Sequence, residues 1–324
     1  MTNPPDTPMS LADVDVRDLI RTFDLDPSGR LSGAAVARGR IGEIWRLDTP
    51  SGSWAVKQVG EVSPEELTEI LEGARFQEAA VSAGVPAPAV RRATTGDLIG
   101  EVSGLRVRLV AWVEMDEPSP DVDPAAMGRL VAGLHRVPFD GSIGLDPWYA
   151  DPVGEARWQE VVAALRGAHA PFADELDALR PEIAALEGLL GGAPRSLRTC
   201  HRDLWADNVR FTGDGSLCVF DFDNAGLAEP SQELAAVLVE YADADPARGS
   251  ALRDAYEDAG GPGRVEQPTD FAMPIAQLLH ILDEGCRRWL AATSVEDRAD
   301  NEGWVREFLA RPLTRSVIDT LLPA

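Results

Sequence analysis

Residues 199–226 read TCHRDLWADNVRFTGDGSLCVFDFDNAG. The run carries His201, Arg202, Asp203, Asn208 and Asp221 in that order, and residues 201–208 match H-R-D-x-x-x-x-N without a gap. Such a pattern suits phosphoryl transfer. That chemistry must hold nucleotide phosphates, fix a divalent metal among them, and set an acceptor hydroxyl in line beside a carboxylate. Asp203 is expected to accept or orient the hydroxyl proton, with His201 and Arg202 supporting its loop. Asn208 is expected to give magnesium an oxygen ligand. Two apolar runs flank Thr212-Gly213-Asp214-Gly215, the signature of a hairpin. The hairpin would return the chain so that Asp221, a hard oxygen anion, becomes the second metal ligand. Each residue alone would be an ordinary turn or surface residue; the ordered set carries the reading.

An upstream lysine provides an independent check. SWAVKQV, residues 53–59, sets Lys57 in an apolar strand, where a charge requires a partner. A phosphate oxygen and a helix carboxylate would both serve. The segment SPEELTEILEGARFQEAAVSAG, residues 63–84, predicts a helix with Ser63 as N-cap, Pro64 at N1, Glu66 at N3 and a stop at Gly84. It offers Glu65, Glu66, Glu69, Glu72 and Glu78. Glu72 is chosen because it lies well inside the helix, with Glu78 second. Before Lys57, RGRIGEIW carries Gly39 and Gly42 at an expected hairpin tip, where backbone N–H groups can approach phosphates. A G-x-G-x-x-G pattern is absent.

The wider chain agrees with two lobes. Residues 11–24 read as an amphipathic helix, after a loose tail over 1–10. Strand signals dominate from 31 to 113, and Glu114–Pro124 is an acidic, proline-rich connector. Helices follow at 124–136, within 155–190, and at 231–242, 247–259, 270–293, 296–310 and 314–322. The expected strands there lie only near 209–211 and 217–220. The expectation is an α+β fold with a nucleotide-binding lobe over 1–113, a hinge over 114–123 and a helical catalytic lobe over 124–324.

Composition narrows the partners. Acidic residues outnumber basic ones 54 to 30, a formal charge of -24. Such a surface repels nucleic acid and anionic lipid, and it favours solubility and, secondarily, a cationic substrate. Cys200, Cys218 and Cys286 are few and widely spaced, as reduced core thiols are. The start MTNPPDTPMSLADVD lacks a basic segment before an apolar run. A cytoplasmic protein without a membrane span is expected.

CHRDLWADN, VFDFDNAG and PSQELA resemble the aminoglycoside phosphotransferase family of small-molecule kinases, which have a protein-kinase-like fold. LSGAAVARGRIGEIWRL looks like that family's nucleotide loop, WAVK its lysine strand, and GVPAP the segment after its glutamate-bearing helix. MGRLVAGLHRV is similar to its helix ending in Leu-His, where His135 is expected to be packed and hydrogen-bonded. The resemblance implies that Asp203 is the base, that Asn208 and Asp221 bind Mg2+, and that Lys57 binds the phosphates of ATP, or of GTP in its place. Val113 to Met115 would bind adenine. Three departures stand out: Arg202 where the family often has glycine, Glu233 where it commonly has aspartate, and Asp221-Phe222-Asp223 in place of Asp-Phe-Gly. Asp223 is either a second metal or substrate contact or a turn carboxylate.

A protein kinase needs a long activation segment after its metal aspartate to dock a peptide. Here DFDNAGLAEPSQELAAVL passes into a helix after a short loop, so the expected acceptor is a small hydroxyl compound: an aminoglycoside-type antibiotic, an amino sugar or another metabolite. A protein serine/threonine kinase and a non-catalytic nucleotide-binding regulator are the alternatives. In FAMPIAQLLHILDEGCRRWLAATSVED, Asp283 and Glu284 could bind an amine, and Trp289 could stack on a sugar or cation. A solvated acidic turn and a core tryptophan are the blander reading, and the preferred one.

Overall fold

The computed structural model describes residues 10–39 and 42–323. Apart from Ser10, the expected loose tail lies outside them, as do Arg40 and Ile41 of the expected glycine hairpin tip. Along the chain run α1 (Val16–Phe23), β1 (Arg30–Leu31), β2 (Ala37–Gly39), β3 (Gly42–Thr49), β4 (Gly52–Val59), α2 (Pro64–Ser82), β5 (Val90–Arg91), β6 (Gly100–Val102) and β7 (Leu105–Ala111). Then come α3 (Pro124–His135), α4 (Glu155–Gly167), α5 (Ala173–Glu187), β8 (Arg198–Cys200), β9 (Val209–Phe211), β10 (Leu217–Val219) and β11 (Gly226–Ala228). The last helices are α6 (Pro230–Tyr241), α7 (Pro246–Asp258), α8 (Ala272–Ala291), α9 (Val295–Ala310) and α10 (Arg315–Leu321).

The chain divides into two compact units that are not collinear with sequence. The first holds 1–118, 137–141 and 207–225; the second holds 119–136, 142–206 and 226–324. The first unit is built on an antiparallel sheet of order β1-β3-β4-β7-β5, with β2 paired to β3 and β6 to β7. Trp45, Leu47, Val56, Val107 and Leu109 from this sheet pack with Leu11, Leu19 and Phe23 in one buried cluster. Burial of such side chains removes apolar area from water and drives the unit together. The expected helix over 11–24 is divided. A single 3-10 turn spans Leu11–Asp13, and Asp15 then caps α1 through the Arg17 amide, because Asp prefers a cap to a helix interior. Helix α2 begins as its sequence predicts. Ser63 and Glu66 form a reciprocal capping box around Pro64, and the chain turns at Gly84 with φ 86.

The second unit is helical. Helix α3 meets α7 where Gly128 faces the Leu252 carbonyl; a Cβ there would lie 2.2 Å from that oxygen. Beyond the two expected strands, β8 and β11 also pair, with Cys200 opposite Gly226. Strands this short carry no alternation for a sequence to display, and β6 went unread in the first unit for the same reason. All three cysteines are free and buried, and burial pushes the thiols of Cys218 and Cys286 up to about 12. No helix among the described residues is long and apolar enough to cross a membrane.

Candidate active site

In the first unit Lys57 lies on β4, flanked by Ile44 on β3 and Arg108 on β7. The sheet buries it to 7% exposure. Its ammonium donates to Asp221 Oδ1 at 3.0 Å and to Asp223 Oδ2. Arg108, also buried, donates through Nη1 to Asp223 Oδ1 at 2.8 Å. Burial pushes the Asp223 carboxyl up, but the Arg108 guanidinium and the Lys57 ammonium outweigh it and hold the group well below the usual carboxylate range. Asp223 is thus a turn residue by backbone, yet its carboxylate is a buried bridge between two cations. The sequence signal for Lys57 was stronger than the strand pattern alone: it is the sole lysine of the chain, against 29 arginines. Every other cationic position accepts a guanidinium; this one carries an ammonium. Arg108 was missed, because an arginine in the run VRLVAWV reads as one side of an alternating strand.

Of the five candidate glutamates on α2, only Glu72 is buried. Glu78 is engaged by Arg92, whose hydrogen bonds hold its carboxyl below the ordinary value. The β9–β10 hairpin forms as its turn predicts. Val209 pairs with Val219, the Phe220 amide donates to the Asn208 carbonyl at 2.8 Å, and Gly215 takes φ 79. The backbone of Asn208 therefore runs beside that of Phe220 and Asp221. Asp221 itself adopts φ 50, a left-handed conformation that Asp tolerates, and its side chain is 40% exposed. Behind it the Phe222 carbonyl presses on α2 at Gly73, where a Cβ would come within 2.2 Å.

Gly39 and Gly42 are cross-strand partners on β2 and β3. Gly42 has a packing reason to be glycine, since a Cβ would lie 2.1 Å from the Gln58 carbonyl oxygen. After β7, the stretch from Val113 to Met115 is tied to the hairpin. Met115 bridges to Thr212, and the Asp116 amide donates to the Phe211 carbonyl at 3.0 Å.

His201, Arg202 and Asp203 stand in the second unit, just after β8. Arg202 has φ 64, a conformation unfavourable for a long side chain, so its surroundings must hold it. They do so chiefly through Glu233 on α6. This fully buried carboxylate accepts from the Arg202 amide and, at 3.4 Å, from the His201 amide. Gln277 on α8 donates to the Arg202 carbonyl at 3.2 Å, and Glu240, two turns beyond Glu233, accepts from the Ala206 amide at 3.0 Å. The Arg202 guanidinium lies over the Tyr149 ring and fills the space where a Cβ on residue 226 would go. His135 is buried, as expected, with Nε2 2.6 Å from Glu233 and Nδ1 2.7 Å from the Tyr256 hydroxyl. Burial pushes the Glu233 carboxyl up; the hydrogen bond and charge of His135 help to bring it below its ordinary value. Sequence reading noted Glu233 only as a departure in the Glu-Leu-Ala run and missed its hold on the loop.

The candidate acceptor contacts are occupied by the protein itself. Asp283 pairs with Arg157 at 2.9 Å, and Glu284 pairs with Arg287 and Arg288 on its own helix. Trp289 is 3% exposed, with the edge of Phe172 and the Arg298 guanidinium against its ring. Its ring therefore offers no open face for a ligand, in keeping with the preferred reading of a core tryptophan.

A model of the phosphotransferase enzyme family matches residues 32–271. Homoserine kinases of Rhodopseudomonas palustris are similar: that of strain HaA2 is 29% identical over 64% of this chain and 62% of its own length. That of strain BisB5 is 35% identical over the same shares. The chain thus spans under two thirds of these relatives' length. Among solved structures, a spectinomycin phosphotransferase in complex with ADP and spectinomycin covers 97% of this chain and 98% of its own, at 12% identity and TM-score 0.66. A microcompartment-associated aminopropanol kinase covers 91% and 94%, at 16% identity and TM-score 0.60. These likenesses establish a protein-kinase-like α+β fold.

Proposed function

The chain belongs to the phosphotransferase enzyme family, and we propose that it moves the γ-phosphate of ATP onto a hydroxyl of a small molecule. The observation that carries this reading is the ion pair of Lys57 with Asp221, two residues far apart in sequence and singled out for one chemistry. Lys57 takes phosphate oxygens, and Gly39 and Gly42 set the neighbouring backbone. Val113 and Met115 flank the base, and Glu72 lies in the helix behind. Asn208 and Asp221 fit a divalent cation, since one supplies an amide oxygen and the other a half-exposed carboxylate. Residues Asn208 and Asp221 would hold it as Mg2+, whose chemistry there would be to neutralise charge on the phosphates. Asp203 orients the acceptor hydroxyl and takes its proton, while Glu233 keeps the Arg202 backbone in its strained form.

The acceptor we propose is a small alcohol that also carries an amine. Relatives named for homoserine and aminopropanol share that chemistry, and a chain of charge -24 suits a cation. A protein acceptor is disfavoured by the chain after Asp221, which passes through a 3-10 turn at Phe222–Asn224 and β11 directly into α6 at Pro230. The lobes of this cytoplasmic enzyme we take as a nucleotide lobe over 1–113, a hinge over 114–123 and an acceptor lobe over 124–324, although 207–225, with Asn208 and Asp221, pack with the first compact unit. A coupled ADP-release screen of homoserine, aminopropanol and aminoglycosides tests the reading. Turnover that needs Mg2+ and disappears in Asp203→Ala supports it; wild-type turnover in that variant on a confirmed acceptor overturns it.

A further inference from the structure

Lys57 and Arg108 are direct cross-strand partners on β4 and β7, and both are buried. Like charges set opposite each other on neighbouring strands destabilise a sheet, and more so where water is excluded. Asp223 resolves this by giving one carboxylate oxygen to each cation. Its place is firmly set. Phe222 is buried with its ring edge on Phe76, its carbonyl meets Gly73, and Asp223 follows it in the 3-10 turn. The Nε of Arg108 has no hydrogen-bond partner among the described residues, so the bond from Nη1 to Asp223 defines the aim of that guanidinium. Asp221 differs. Its side chain is 40% exposed, its one ion pair among the described residues is with Lys57, and a metal held there would need it elsewhere.

We infer that Asp223 and Arg108 form a permanent seat for Lys57, which keeps the ammonium in place when Asp221 turns to a divalent cation. The inference rests on the proposed phosphate-binding role of Lys57 and deepens it. Arg108 touches neither phosphate nor metal in this scheme; it is a positioning residue that acts through Asp223. With one oxygen held by Arg108, the Asp223 carboxylate cannot rotate away from Lys57. When Asp221 leaves, two cations remain on one anion, and the excess positive charge is what a phosphate requires.

The sole lysine makes the test direct, because 15N-lysine labelling yields a single side-chain ammonium. In the wild type that ammonium should give one exchange-protected cross-peak, retained in Asp221→Asn and lost in Asp223→Asn. Arg108→Gln should shift or broaden it and weaken Mg–ADP binding by about tenfold, the scale of a hydrogen bond to a charged group. Arg108→Lys should restore most of the affinity, which a merely structural defect would not predict. A cross-peak unchanged in Arg108→Gln, or one lost in Asp221→Asn and kept in Asp223→Asn, overturns the seat. Should Asp223→Asn fail to fold, Arg108→Gln reads the same contact from its other side. If the wild type binds no Mg–ADP by calorimetry, the phosphotransfer reading fails, while the ammonium spectra still decide the seat.

Discussion

Asp223 in the first unit meets two side-chain cations, whereas Glu233 in the second meets a histidine and two backbone amides. Both carboxylates are buried, and both are held below their ordinary pKa against the cost of burial. Their partners differ in what they allow. A cation on a flexible side chain can exchange one anion for another, which is what the proposed binding of phosphate by Lys57 asks of its pair with Asp221. A backbone amide cannot move without the loop, so Glu233 fixes geometry. One unit stores charge that can be re-partnered; the other stores a conformation.

The comparison can be broken in order of expected effect. Asp203→Ala should lower turnover by about a thousandfold, within the range of general acid–base catalysis, with little change in melting temperature. Coupled ADP release and calorimetry measure the two. Next, Glu233→Ala leaves His135 and two amides without their buried anion, and should cost about 3–5 kcal/mol by chemical denaturation. A variant as stable as the wild type would mean that the loop is fixed elsewhere.

Acid sharpens the contrast further. The Asp223 carboxyl is depressed in the folded state, so its contribution is fully present above the unfolded value of 3.8 and is lost as pH falls from there toward the folded value. Asp223→Asn should therefore be less stable than the wild type at neutral pH and lose less on acidification below pH 4, as followed by denaturation at a series of pH values. At the small end, Glu78→Gln breaks a surface pair with Arg92 and should change stability by at most about 1 kcal/mol. A larger loss there would mean that α2 depends on its outer face as well as on Gly73 and Glu72.

Much of the architecture was legible because local chemistry repeats it. The Ser63–Glu66 capping box with Pro64, the glycine turn at 212–215 and the helical periodicity of the second half all appear where the pattern requires. Lys57 was legible as a charge in an apolar strand. Arg108 was not, since its meaning depends on which strand lies beside β4, and strand order is a long-range property. Trp289 stood between the two: an aromatic on an amphipathic helix serves a ligand or a core, and packing against Phe172 bears out the preferred core reading.

By itself, then, the order of residues determined where helices and turns begin and which charge stands in an apolar strand, because caps, turns and a single lysine act within a few positions of themselves. Tertiary structure decided which charges meet. The pairing of Lys57 with both Asp221 and Asp223, and the grip of Glu233 on the Arg202 backbone, follow from segments distant in sequence packed in water-poor surroundings, where a charge must find a partner.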